Sequence, residues 1–128
     1  MVIAGLTLAA AAALVHVYIF SMESITWTTA RTRATFDTTE QEALATKELA
    51  FNQGFYNLFL AMATLLGLVV FVTGNTTVGA TLVFTGNGSM VAAALVLFLS
   101  SPGKRSAALK QGVIPALALI GLAVGLVL

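Results

Sequence analysis

Glu23 is the residue in this chain best placed to do chemistry, because it ends a long apolar stretch. An ionisable side chain at membrane depth is costly and takes its partners from inside a helix bundle. A second polar group follows at the mouth of another apolar stretch, where Asn52, Gln53, Tyr56 and Asn57 bring four hydrogen-bonding side chains within six residues. On a helix, positions 53, 56 and 57 share a face and 52 adjoins 56, so the group can point inward while Phe55 and Phe59 address lipid or packing. With Glu23 it makes a candidate ligand site, in which a carboxylate, amides and a phenol could hold a small polar solute or a lipid headgroup. The plainer reading is helix glue, since an interhelical amide hydrogen bond contributes only about 0.6–2 kcal/mol. That explains one Asn or Gln more readily than four together. For Glu23 the plainer reading is a water-reaching carboxylate paired with Arg31 or Lys47.

His16, Phe20, Glu23 and Trp27 recur on one face of the same stretch and form the weaker part of the site. His16 lies within the apolar layer, about 10 Å along a helix axis from Glu23, so the two cannot chelate one ion without ligands from another helix. No metal site is expected, although a histidine can relay protons near neutral pH. Trp27 suits an interfacial anchor. Asn87 interrupts a third apolar stretch between Gly86 and Gly88, where it either ties a close helix crossing or adds to a solute site.

The elements that position these residues follow from composition. With 59% hydrophobic and 9% charged residues and a mean hydropathy of +0.98, the chain has more apolar surface than a soluble domain of its size can bury. The expected fold is all-α: one transmembrane domain over 1–128, an antiparallel up-down four-helix bundle with spans near 2–22, 51–73, 76–100 and 111–128. The first span lacks the preceding positive charge of a signal peptide and is expected to be retained. Arg31, Arg33 and Lys47 fall in the loop at 23–50, Lys104, Arg105 and Lys110 in the loop at 101–110, and no Lys or Arg occurs elsewhere. The positive-inside rule then predicts both loops in the cytoplasm and both termini outside. Thr39 and Glu42 have capping-box spacing, which predicts one helix running from Glu40 into the second span. Gly121 and Gly125 form a small-xxx-small pair that can pack within the chain or between copies, and Pro115 is expected near the start of the last helix.

The net charge of +1 offers no face for nucleic acid, and the absence of cysteine removes thiolate chemistry and disulfides. No HExxH, GxSxG or GxxxxGK pattern occurs, and no cofactor is expected. The chain resembles the small bacterial four-helix membrane proteins of unknown-function family 1304. The resemblance rests on His16, Val17, Tyr18, Ile19, Phe20, Glu23, Trp27 and Thr28, on Arg31 and Phe36, on Ala50, Asn52, Gln53, Gly54, Tyr56 and Asn57, and on Pro115 and Ala116. It implies a multi-pass protein of the bacterial plasma membrane, singles out the same polar cluster, and implies no reaction. A looser likeness, of architecture alone, is to the trimeric four-helix enzymes of eicosanoid and glutathione metabolism, whose usual arginine and glutamate are not matched here.

The function expected from these residues is binding of a small polar solute or lipid headgroup, or service as an accessory subunit of a membrane complex or homo-oligomer. A membrane enzyme on a lipophilic substrate, with Glu23 or Tyr56 as acid or base, is the alternative. A purely structural protein is the third reading.

Overall fold

The computed structural model describes residues 1–128 and contains only helices, turns and short connections. Helix α1 spans Val2–Phe20 and runs into a wider π-helical turn at Ser21–Ile25. Two short helices follow, α2 at Ala30–Phe36 and α3 at Glu40–Ala45, and then three long ones: α4 at Lys47–Val72, α5 at Thr76–Ser100 and α6 at Arg105–Val127. Four helical segments, Val2–Ile25, Lys47–Val72, Thr76–Ser100 and Pro102–Val127, are long and apolar enough to cross a membrane. The chain is a small multi-pass membrane protein.

The bundle is built inside out relative to a soluble domain. Its core is lined by small residues, Ala9, Ala12, Ala13, Ala61, Ala94 and Ala118 among them, while Leu66, Val69, Val72, Leu95 and Val96 face outward. Lipid is as apolar as leucine, so sequestering large side chains gains little, and small residues that let backbones approach bring the helices together. The glycines show how close that approach is. A Cβ on Gly79 would meet the backbone of Phe71, one on Gly86 would meet Thr64, and one on Gly5 would meet Leu122. These pairs also set the helix sense, because residue numbers fall along α4 as they rise along α5, and along α6 as they rise along α1. Helix α1 packs on α4 and α6, and α5 on the same two, so the four long helices form a square. Gly121 and Gly125 are used within the chain, where they lie against Gly5 and Val2.

The connections differ from the sequence expectation in three places. The helix expected to run unbroken from Glu40 is interrupted at Thr46, whose φ is −104° and ψ 5°. Its hydroxyl donates to Glu42 O at 2.7 Å, and a side chain bonding back to its own preceding turn bends a helix. Helix α2 has no counterpart in the expectation. It is capped by Thr29 and ended by Asp37 in the left-handed region. The loop expected over 101–110 is nearly all helical: a single 3₁₀ turn at Pro102–Lys104 leads straight into α6. Arg105 fastens this corner by donating from Nε to Phe98 O at 3.2 Å, with its guanidinium 4.9 Å from the Phe98 ring centre. Pro115 is therefore buried in a helix interior, where it leaves the Gln111 carbonyl without its usual intrahelical donor.

The capping box forms as its spacing predicts. Glu42 N–H donates to Thr39 Oγ1 at 3.2 Å, and Thr39 N–H donates to Glu42 Oε2 at 2.9 Å. These bonds from Thr39, foremost the backbone one, hold the Glu42 carboxyl below the ordinary carboxylate range. Both polar segments, and with them all six Lys and Arg residues, lie at one end of the square.

Candidate functional site

At this charged end the turn at Ser21–Ile25 determines what α1 presents to α4. A π-helical turn inserts one residue and re-aims the side chains around it, and such bulges recur at functional sites. Here it brings Ser24 and Glu23 onto Gly54. Ser24 Oγ donates to Phe51 O at 2.8 Å, and a Cβ on Gly54 would strike Ser24 Oγ and lie 3.1 Å from both Glu23 Cβ and Phe20 O. The missing side chain at Gly54 thus lets α4 close on the turn.

One turn further along α4, Asn57 Nδ2 donates to Glu23 Oε2 at 2.7 Å and to Gln53 O at 3.3 Å. Asn57 is buried and Glu23 half-buried. Neither Arg31 nor Lys47 bonds to the carboxylate; its hydrogen-bond partner is the Asn57 amide. His16, 2% exposed, lies deeper on the same helix. Its Nδ1 contacts Ala12 O at 2.9 Å. A carbonyl only accepts, so Nδ1 carries the proton and Nε2 is left as a lone-pair acceptor.

These groups line one cavity of about 420 Å³. All four long helices contribute to it. Glu23 and His16 come from the α1 segment, Gln53 and Asn57 from α4, Met90 and Leu97 from α5, and Lys110 and Gln111 from α6. Trp27, Thr35 and Phe36 of the first connection also line it. Trp27 is held in place by donating from Nε1 to Ala43 O at 3.1 Å and Thr46 Oγ1 at 3.3 Å, and by an edge contact with Phe36 at 5.1 Å between ring centres. The size lies within the ~300–1,000 Å³ of small-molecule sites, and the make-up, apolar walls with a few convergent polar groups, is that of such sites.

The structure divides the polar cluster on α4. Gln53 and Asn57, four residues apart, turn toward the cavity, whereas Asn52 and Tyr56 lie on the outer surface, with Tyr56 63% exposed. The cause is helical pitch: at about 100° per residue, 53 and 57 differ by about 40°, while 56 and 57 differ by about 100°. Phe55 fills the seam with α1 by an edge contact to Phe20 at 5.1 Å. Asn87 does not line the cavity. It is fully buried between α4 and α5 and donates to Thr64 Oγ1 and Val83 O, both at 3.2 Å. Lys104 and Lys110 line the cavity without having been anticipated, because they were assigned to a loop that is in fact helical, and Gln111 at the start of the expected fourth span was not singled out. Ser24 gave no signal at all in sequence.

Residues 10–123 match a family described as "Protein of unknown function (DUF1304)". The chain belongs to this family. Every residue named above as lining the cavity falls within the matched span of the DUF1304 chain. No curated protein matches it, and no solved structure does.

Proposed function

We propose that this DUF1304 protein is a binding protein of the plasma membrane that holds a small polar solute or a lipid headgroup in the cavity at the charged end of its bundle. The observation that carries the reading is the Glu23 carboxylate, bonded to the Asn57 amide and facing a cavity rather than a closed helix seam. A bond made only for packing requires no such space beside it. The six Lys and Arg residues gathered at the charged end support a cytoplasmic location for it, and with it a cavity at the inner interface.

The test is native mass spectrometry of the protein extracted gently from its own membrane, for wild type, Glu23→Gln and Asn57→Ala. A co-purifying molecule carried by wild type and lost from both variants is the expected result. Identical spectra for all three, with only lower stability in the variants, would reduce the pair to helix glue and remove the proposal.

A further inference from the structure

The polar groups of the cavity are sorted by sign. On the side of α1 and α4, Glu23 keeps one carboxylate oxygen without a hydrogen bond and His16 presents Nε2 as a lone pair. These are acceptors that want a donor, and a carboxylate within a mostly apolar enclosure wants a cation. On the side of α6, Lys110 lines the same cavity with an ammonium group that wants an anion, while Lys104, which also lines it, has the Glu42 carboxylate as a neighbour. Neither lysine bonds to Glu23.

A ligand satisfying both sides carries a positive group and a negative group close together. A purely anionic ligand would leave Glu23 without a counter-charge, and a purely cationic one would leave Lys110 so. Resting on the binding function proposed above, we infer that the cavity takes a primary ammonium joined to a phosphate by a short link, as in an aminophospholipid headgroup or free phosphoethanolamine. The ammonium sits against Glu23, with the phosphate toward Lys110. A primary ammonium has three donors for the facing acceptors, which a trimethylated amine lacks.

The cavity reaches the outer surface between α1 and α6. Tyr18 is 50% exposed and Lys110 is exposed, yet both line it. A lipid could therefore place its headgroup inside while its acyl chains stay in the bilayer, whereas about 420 Å³ leaves no room to enclose the chains as well.

The test uses full-length protein in nanodiscs prepared from equal parts phosphatidylethanolamine, phosphatidylcholine and phosphatidylglycerol, followed by detergent release and counting of the lipids retained. Wild type should retain phosphatidylethanolamine over each of the others by about tenfold, the effect of one charge-assisted hydrogen bond. Glu23→Gln should abolish the preference over phosphatidylglycerol, and Lys110→Gln should weaken retention of all three lipids. The wild-type preference needs no variant to fold. Binding of soluble phosphoethanolamine by calorimetry, with no lipid preference, would support the same chemistry from the aqueous source. Equal retention of the three lipids by wild type, without phosphoethanolamine binding, overturns the ligand class. The binding function then still stands if the native protein carries another molecule that Asn57→Ala removes, and falls with it if the native protein carries none.

Discussion

Replacing Gly54 by alanine tests whether the contact between α4 and the Ser21–Ile25 turn is what forms the site. The added Cβ would clash with Ser24 Oγ and sit 3.1 Å from Glu23 Cβ and Phe20 O, about 0.3 Å inside the 3.4 Å where ordinary contact begins. Serine can rotate away only by giving up its bond to Phe51 O, about 0.5–1.5 kcal/mol. The backbone carbonyl of Phe20 cannot rotate, so overpacking adds about 1–3 kcal/mol. Alanine returns about 1 kcal/mol through helix propensity. The net expectation is a loss of roughly 0.5–3.5 kcal/mol, read by reversible unfolding in mixed micelles of rising dodecyl sulfate content and followed by circular dichroism. Gly88→Ala, on a helix surface with nothing within 4 Å, supplies the control and should be neutral or slightly stabilising. Ser24→Ala removes the obstructing oxygen, so Gly54→Ala should cost less in that background, with a coupling of about 1 kcal/mol. Additive effects within about 0.5 kcal/mol, or a Gly54→Ala protein as stable as wild type, would refute the assigned contact.

Other consequences are open to simpler measurements. Because the folded-state pKa of Glu42 is lowered from its ordinary 4.5, its contribution is complete above that value, declines as pH falls and is gone below the lowered one. A carboxyl carbon titration by NMR should therefore place the Glu42 midpoint below 4.5, and a midpoint at or above it would contradict the capping geometry. Trp27→Phe keeps the ring contact with Phe36 but removes the donations to Ala43 O and Thr46 Oγ1. Amide exchange in α3 should accelerate about five- to tenfold, at about 1 kcal/mol for the lost donor, while α5 stays unchanged. Thr64→Val takes from Asn87 its interhelical partner, whereas Thr64→Val with Asn87→Leu removes both polar groups. The double variant should unfold at higher dodecyl sulfate content than the single one, and the reverse order would mean that Asn87 has a use beyond the seam.

How much of this was readable in advance depended on whether the signal was compositional or angular. The four spans follow from hydropathy alone, since a bilayer admits little else. The capping box follows from two residues whose spacing matters over a single turn. The orientation of the α4 cluster failed at Tyr56 because a face of a helix is narrow, and one residue of offset, about 100°, separates the cavity from the outer surface. Asn52 was lost the same way. Lys104 and Lys110 were hidden by a different cause. Ser101, Pro102 and Gly103 read as a loop, but Pro102 sits at the first position of a helical turn, where proline is favoured. The chain is therefore helical within a few residues, and the charges read only as topology signals become cavity walls. The π-helical turn has no sequence signature, yet it decides where Glu23 points.

The two interhelical polar pairs of the bundle differ in what surrounds them. Asn87 and Thr64 meet in a seam so tight that a Cβ on neighbouring Gly86 would strike Thr64, and Asn87 Oδ1 is buried there without a partner. The bond from Asn87 to Thr64 ties α4 to α5 there. Glu23 and Asn57 hold α1 to α4 in the same way but leave a charged acceptor facing open space. If gluing were the whole purpose, a neutral glutamine at position 23 could accept the same amide hydrogen without the expense of a carboxylate at membrane depth. The choice of the charged residue where the neutral one would pack equally well is an argument that something enters the cavity to meet it.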